Sequence, residues 1–114
     1  MTTKDTIIYY SIANEYTRTP GTRKSGQYTG EHFRETVLKQ LVDKAIKEKA
    51  KLLIDLAGTH GYAPSFLEEA FGGLIREGYF SIEELLKVIE VKCDEMPLYA
   101  DKVIEFIKGA TKKK

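Results

Sequence analysis

The sequence holds one cysteine, three prolines, two histidines and no tryptophan, and each shortage removes a class of protein. A lone thiol, Cys93, forms no internal disulfide, so the chain is not a cross-linked secreted scaffold and suits a reducing cytoplasm. His32, His60 and Cys93 are the only nitrogen or sulfur ligands, and they sit at no metal-ligand spacing, so neither a metal nor another cofactor is expected. There is no run of eighteen apolar residues, and hence no expected membrane span. The start of the chain, residues 1–5, leads straight into a strand-like segment without a signal-peptide apolar region. An excess of one charge is also missing. With 18 basic and 17 acidic side chains the net charge is +1, which leaves no electrostatic footprint for nucleic acid. Neither a GxGxxG nor a Walker phosphate loop occurs.

What is present is ordinary in amount and specific in order. The 114 residues are 42% hydrophobic and 31% charged, which suits one soluble domain over residues 1–114 with a core of its own. Thr6–Ala13 is rich in β-branched and aromatic residues and reads as a strand. Asn14–Tyr28 holds Pro20, Gly21, Ser25 and Gly26 without helical period and reads as a long loop, a candidate for function. From Gly30 to Lys49 the residues Phe33, Val37, Leu41 and Ala45 form one apolar stripe at helical spacing, with Glu35, Lys39, Asp43 and Lys47 facing solvent. Lys51–Ala57 is a near-continuous apolar run, predicted to be a central strand covered on both faces. A second helix is expected over Ser65–Glu77, closed by Gly78. Ser81 and Glu84 form a capping box that opens a short helix through Leu86, Val88–Cys93 alternates as an edge strand, and Pro97 opens the last helix. The expectation is an α/β sandwich: a mixed or mainly parallel sheet of three to five strands with about four helices. Residues 111–114 are a Lys-rich tail.

Charge is unevenly spread. Between Glu68 and Glu95 eight acidic residues face three basic ones, whereas Arg18, Arg23, Lys24 and Arg34 make the preceding region basic. The pattern reads as solvated faces or as a dipolar surface that selects a partner.

Ser65 is the hydroxyl that stands out, because it follows a strand and a loop and opens a helix. Ser65 and Glu68 have capping-box spacing, so the hydroxyl reads as a cap, or as a cap with a regulatory role. Catalysis finds no support, since the context lacks a nucleophile elbow and His60 has nothing to orient it. Asp55 lies inside the apolar strand, where an unpaired carboxylate is costly. It is expected to hold loop amides, Arg23 or Arg34. One of these arginines is in turn expected to pair with Asp55 or Glu69. Gly72 and Gly73, inside the second helix, cost about 1 kcal/mol each relative to alanine, and suggest close packing against the sheet or a partner.

Residues Ser65–Leu74, preceded by Leu53–Gly58, resemble the uncharacterised STAS-like domain family, as do Pro20–Arg23 and Thr29–Arg34. That family is similar in fold to bacterial anti-sigma factor antagonists. The resemblance implies a cytoplasmic, non-enzymatic regulatory module whose partner is a histidine-kinase-like ATPase, with Ser65 at the phosphoacceptor position. Arg23, Arg34, Asp55, Phe66 and Glu69 would then form the partner-binding surface or the clamp of its loop. The antagonists carry Asp-Ser-Ser/Thr-Gly around the acceptor, where this chain has Ala63–Phe66. The alternative is a small anion or nucleotide sensor using Arg23, Thr29 and Arg34, since the first turn of a helix favours negative charge.

Overall fold

Strand β1, Ile7–Ser11, lies parallel to β2, Lys51–Asp55, which lies parallel to β3, Ile89–Lys92, in the order β1-β2-β3. The computed structural model describes residues 6–24 and 26–111. Residues 1–5, Ser25 and the last three lysines, which belong to the expected leaderless start, long loop and basic tail, lie outside the described residues.

Among the described residues five helices accompany the sheet rather than about four. The additional one, α1, is the single turn Ile12–Glu15. It arises because the Ser11 hydroxyl accepts from the Asn14 amide at 3.2 Å, which ends the strand two residues early. Helix α2, residues 30–48, starts at Thr29, whose Oγ1 accepts from the His32 amide at 3.0 Å, and stops where Lys49 turns left-handed at φ 55°. Helix α3, residues 64–76, has Pro64 in its first turn and ends before Gly78, whose φ of 80° only glycine adopts freely. Helix α4, Ile82–Val88, opens with the expected reciprocal capping box of Ser81 and Glu84. Helix α5, Pro97–Gly109, completes the chain's described order.

Each of the two long inner helices contains one π-helical turn, Arg34–Leu38 in α2 and Glu68–Gly72 in α3. There the ladder widens to the fifth residue: the Lys39 amide donates to the Arg34 carbonyl and the Gly73 amide to the Glu68 carbonyl. Such turns occur often at functional sites.

Parallel strands need crossovers, and right-handed crossovers that progress in one direction across a sheet lie on one face. Ile8, Leu52 and Ile89 share one row and Tyr10, Ile54 and Val91 the next. These rows meet the helices, and Leu52 and Ile54 are fully buried. The opposite face is not covered as expected. Lys51 is exposed and Leu53 and Asp55 are half-buried, with Ile7 57% and Tyr9 49% exposed beside them. A continuous apolar run does not distinguish two covered faces from one covered face carrying a stray Leu53.

The core under the sheet is aromatic at its centre. Phe33 of α2 lies 6.0 Å from the Phe66 ring and 6.4 Å from that of Phe71, both on α3. All three are fully buried. Burial of each such side chain contributes roughly 1.5–3 kcal/mol, so this cluster fixes α2 against α3.

Candidate functional site

The turn that follows β2 is pinned at several points before α3 begins. Asp55 accepts from the Ala57 amide at 3.0 Å and from the Tyr9 hydroxyl across the open face of the sheet. The loop amide was expected. An arginine on Asp55 was not found: Tyr9, diagonal to it across the β1–β2 pair, meets the carboxylate instead. The buried Tyr62 hydroxyl donates to the Leu56 carbonyl at 2.7 Å, and the Tyr62 amide donates to the Tyr99 hydroxyl at 3.3 Å. The His60 amide donates to the Arg18 carbonyl at 2.8 Å, which ties this turn to the long loop.

Ser65 stands two positions deeper in the helix than capping requires. The cap position belongs to Ala63, which offers no side-chain oxygen, and Pro64 occupies the first helical position. The chain ahead of a proline favours extended backbone, and Ala63 has it, at ψ 136°. The proline therefore sets the helix start, and the expected Ser65–Glu68 capping box does not form. Ser65 is half-buried, and among the described residues its hydroxyl has no hydrogen-bond partner. Phe66 beside it is fully buried in the core, so it supports the turn from within and offers no surface to a partner.

Glu68 is turned instead into a network of three arginines and three glutamates. Arg34, 3% exposed, donates from Nη1 to the Glu69 carboxylate at 2.5 Å and to the Glu69 carbonyl at 3.0 Å. Its Nε donates to Glu35 at 2.8 Å. Arg23 donates from Nη1 to Glu68 at 2.5 Å and to Glu69 at 3.0 Å. Arg76 grips Glu68 at 2.5 and 3.2 Å and reaches Glu69 at 3.2 Å. The Tyr79 hydroxyl donates to both oxygens of Glu35, and the Lys39 ammonium lies 4.0 Å from the Tyr79 ring centre. The structure thus joins Arg23, Arg34 and Glu69, and leaves Asp55 out.

The glycines make room for this network. A Cβ on Gly73 would run into the Arg34 guanidinium, and one on Gly72 would come within 3.3 Å of the Phe106 carbonyl of α5. The close packing expected of this pair is therefore against a buried cation and the last helix, not against the sheet.

Glu35, Glu68, Arg76 and Tyr79 are members that sequence reasoning assigned no site role. Glu69 and Arg76 are seven residues apart, two turns along one face, so that pairing was open to discovery. Glu35 next to Arg34 was not, because adjacent residues diverge on an α-helix; the pair meets through the Arg34 Nε, which reaches back to the Glu35 carboxylate at 2.8 Å.

Burial by itself would push the Glu69 carboxyl up. The hydrogen bonds from Arg34 and Arg23 and the charges of Arg34 and Arg76 outweigh it and hold the group below its ordinary value. Glu68 is lowered in the same way against its burial, by Arg76 and then Arg23. A carboxyl lowered in the folded state stabilises the fold above its unfolded value and loses that contribution as pH falls through its folded value. The network's contribution should therefore be complete from neutrality down to about pH 5, begin to shrink below about pH 4.3, the ordinary glutamate value, and be lost as pH falls through the lowered folded values. Thermal melts from pH 7 to pH 3 test this: the difference between parent and Glu69→Gln should shrink steadily below about pH 4.3. A difference that stays constant to pH 3 would contradict it.

The mouth of α2 does not hold the sensor arrangement. Thr29 spends its hydroxyl on the His32 amide, and Arg23 and Arg34 are turned onto Glu68 and Glu69. Among the described residues no group of three or more His, Cys, Asp or Glu could hold a metal ion, and no helix is long and apolar enough to cross a membrane. Cys93 is buried, and burial pushes its thiol up.

One family model, described as a STAS-like domain of unknown function (DUF4325), matches residues 29–95, more than half of the chain. The matched segment runs from the α2 cap through the π-helical turns to just past the end of β3. No curated protein and no solved structure matches the chain.

Proposed function

Because the chain belongs to the family of STAS-like domains of unknown function, we propose that it is a non-enzymatic regulatory module that binds a protein partner through the turn and helix around Ser65. The partner is a histidine-kinase-like ATPase of the same bacterial cytoplasm, and phosphorylation of Ser65 toggles the complex. In that step the bond between the ATP γ-phosphorus and its bridging oxygen breaks, the Ser65 Oγ takes the phosphoryl group, ADP leaves, and the hydroxyl proton passes to a base on the kinase.

The observation that carries this reading is the state of Ser65. Its hydroxyl is unengaged, half-buried and set in the first turn of α3, while the helix bearing it is fixed by the buried Arg34–Glu69 pair. A phosphate there gains from the positive end of the helix, so the modified chain stays folded and only the surface changes.

The test compares wild type, Ser65→Ala and Ser65→Asp for affinity toward the isolated ATPase. Alanine should bind as wild type does, because no cap is lost, and aspartate should fold normally yet bind at least tenfold more weakly. Equal affinity for all three would contradict the reading.

A further inference from the structure

We infer that Arg23 is the receiver of a phosphate on Ser65, exchanging its two carboxylate contacts for the phosphate and so tying the long loop to the modified turn. This inference rests on the reading of Ser65 as the modified residue, and goes beyond it by assigning the side chain that registers the modification.

The first support is position. On a helix, residues three and four apart are neighbours, with about 5–6 Å between their Cβ atoms. Glu68 and Glu69 stand at those distances from Ser65 along the sequence, and the Glu68 amide still donates to the Pro64 carbonyl, so the turn between them is α-helical. Ser65 therefore projects on the face where both glutamates meet Arg23. Side chains of a helix lean toward its N-terminal end, which brings the glutamates and their arginine toward Ser65.

The second support is redundancy. If Arg23 leaves, Glu68 keeps Arg76 at 2.5 Å, and the buried Glu69 keeps Arg34 at 2.5 Å and Arg76 at 3.2 Å. No carboxylate is stranded. Arg34, by contrast, is enclosed at 3% exposure and cannot swing without leaving Glu69 behind. Arg23 has a side chain 44% exposed, against 26% for Arg76, and is the most open of the three arginines.

The third support is the anchoring of its backbone. The Arg23 carbonyl accepts from the Glu31 amide at 3.1 Å, the Thr22 carbonyl from the Gly30 amide at 2.9 Å, and the Gly21 amide donates to the Tyr28 carbonyl at 2.9 Å. The loop base is held against the first turn of α2 while the guanidinium reaches from it to the glutamates of α3. A phosphoserine carries a charge of about −1.5 to −2. It repels Glu68 and Glu69 and offers an arginine fork paired oxygens. Both effects draw Arg23 one turn toward the start of α3.

The test uses the chain with phosphoserine incorporated at position 65 during synthesis, so it does not depend on any kinase. Phosphorus NMR follows the second ionisation of the phosphate, ordinarily near pH 6. With Arg23 present the midpoint should lie several tenths of a unit lower than in Arg23→Ala, and Arg23→Lys should fall between. Arg76→Ala should shift it less than Arg23→Ala does, since Arg76 is three turns from Ser65 and acts only through the Glu68 and Glu69 carboxylates it shares with Arg23. The same midpoint with and without Arg23, or an equal shift on removing Arg76, would overturn the inference. Failure of the Ser65 reading itself would show differently, as no phosphate on Ser65 when the chain meets its ATPase and ATP.

Discussion

Replacing Arg34 by alanine should cost the fold about 3–5 kcal/mol, the usual effect of removing one partner from a buried ion pair. Domains of this size are stable by only about 5–15 kcal/mol, so the variant should be largely unfolded at temperatures the parent survives. The loss comes less from the missing bonds than from what remains. Glu69 is 4% exposed at its side chain and would keep only Arg23 and Arg76 near one oxygen, while its other oxygen and its carbonyl lose their donor. Arg34→Lys retains the charge but not the geometry that serves Glu69 and Glu35 together, and should also destabilise measurably. The double variant Arg34→Met with Glu69→Leu removes both charges and should be more stable than either single change. Denaturant melts of the three proteins check this. A fully stable Arg34→Ala would show that the pair does not hold α2 to α3.

Gly30→Ala is the second large effect. A Cβ there would stand 2.5 Å from the Phe66 carbonyl oxygen and 3.0 Å from the Glu69 Cβ. The obstruction is backbone, so the helices must separate at the point where Thr29 begins α2 and Ser65 and Phe66 begin α3. Overpacking of a fitted core costs about 1–3 kcal/mol. The displacement would also weaken the Arg34–Glu69 contact, so the cost should lie at or above that range. Alanine at Gly109, where a Cβ meets nothing within 4 Å, should leave the melt unchanged and serves as the control. Equal melts for the two variants would contradict the close crossing.

The sheet and its flanking helices were legible because their signals are periodic: the stripe of Phe33, Val37, Leu41 and Ala45, and the apolar run of Leu52–Ala57. The Ser81 box was legible because both of its partners are local. Arg34 and Glu69 drew notice as charges near the Ser65 turn, and the structure brings them together. What could not be read depends on departures from regular geometry. The π-helical turns have no sequence period and were out of reach, as was the meeting of Arg34 with its neighbour Glu35, since adjacent residues diverge on a helix. The capping box at Ser65 failed because Pro64 competes for the helix start and wins by its fixed φ. The half-open face of β2 was missed because Leu53 looks the same in sequence whether or not a layer covers it.

Ser65 is proposed to carry the signal exchanged with a histidine-kinase-like ATPase. The most direct test is mass spectrometry of the purified chain after incubation with that ATPase and ATP, with Ser65→Ala as the parallel sample. One added phosphoryl group is expected on the peptide that contains Ser65, and none on the alanine variant. An unmodified chain, or a phosphate that persists in Ser65→Ala, would contradict the proposal.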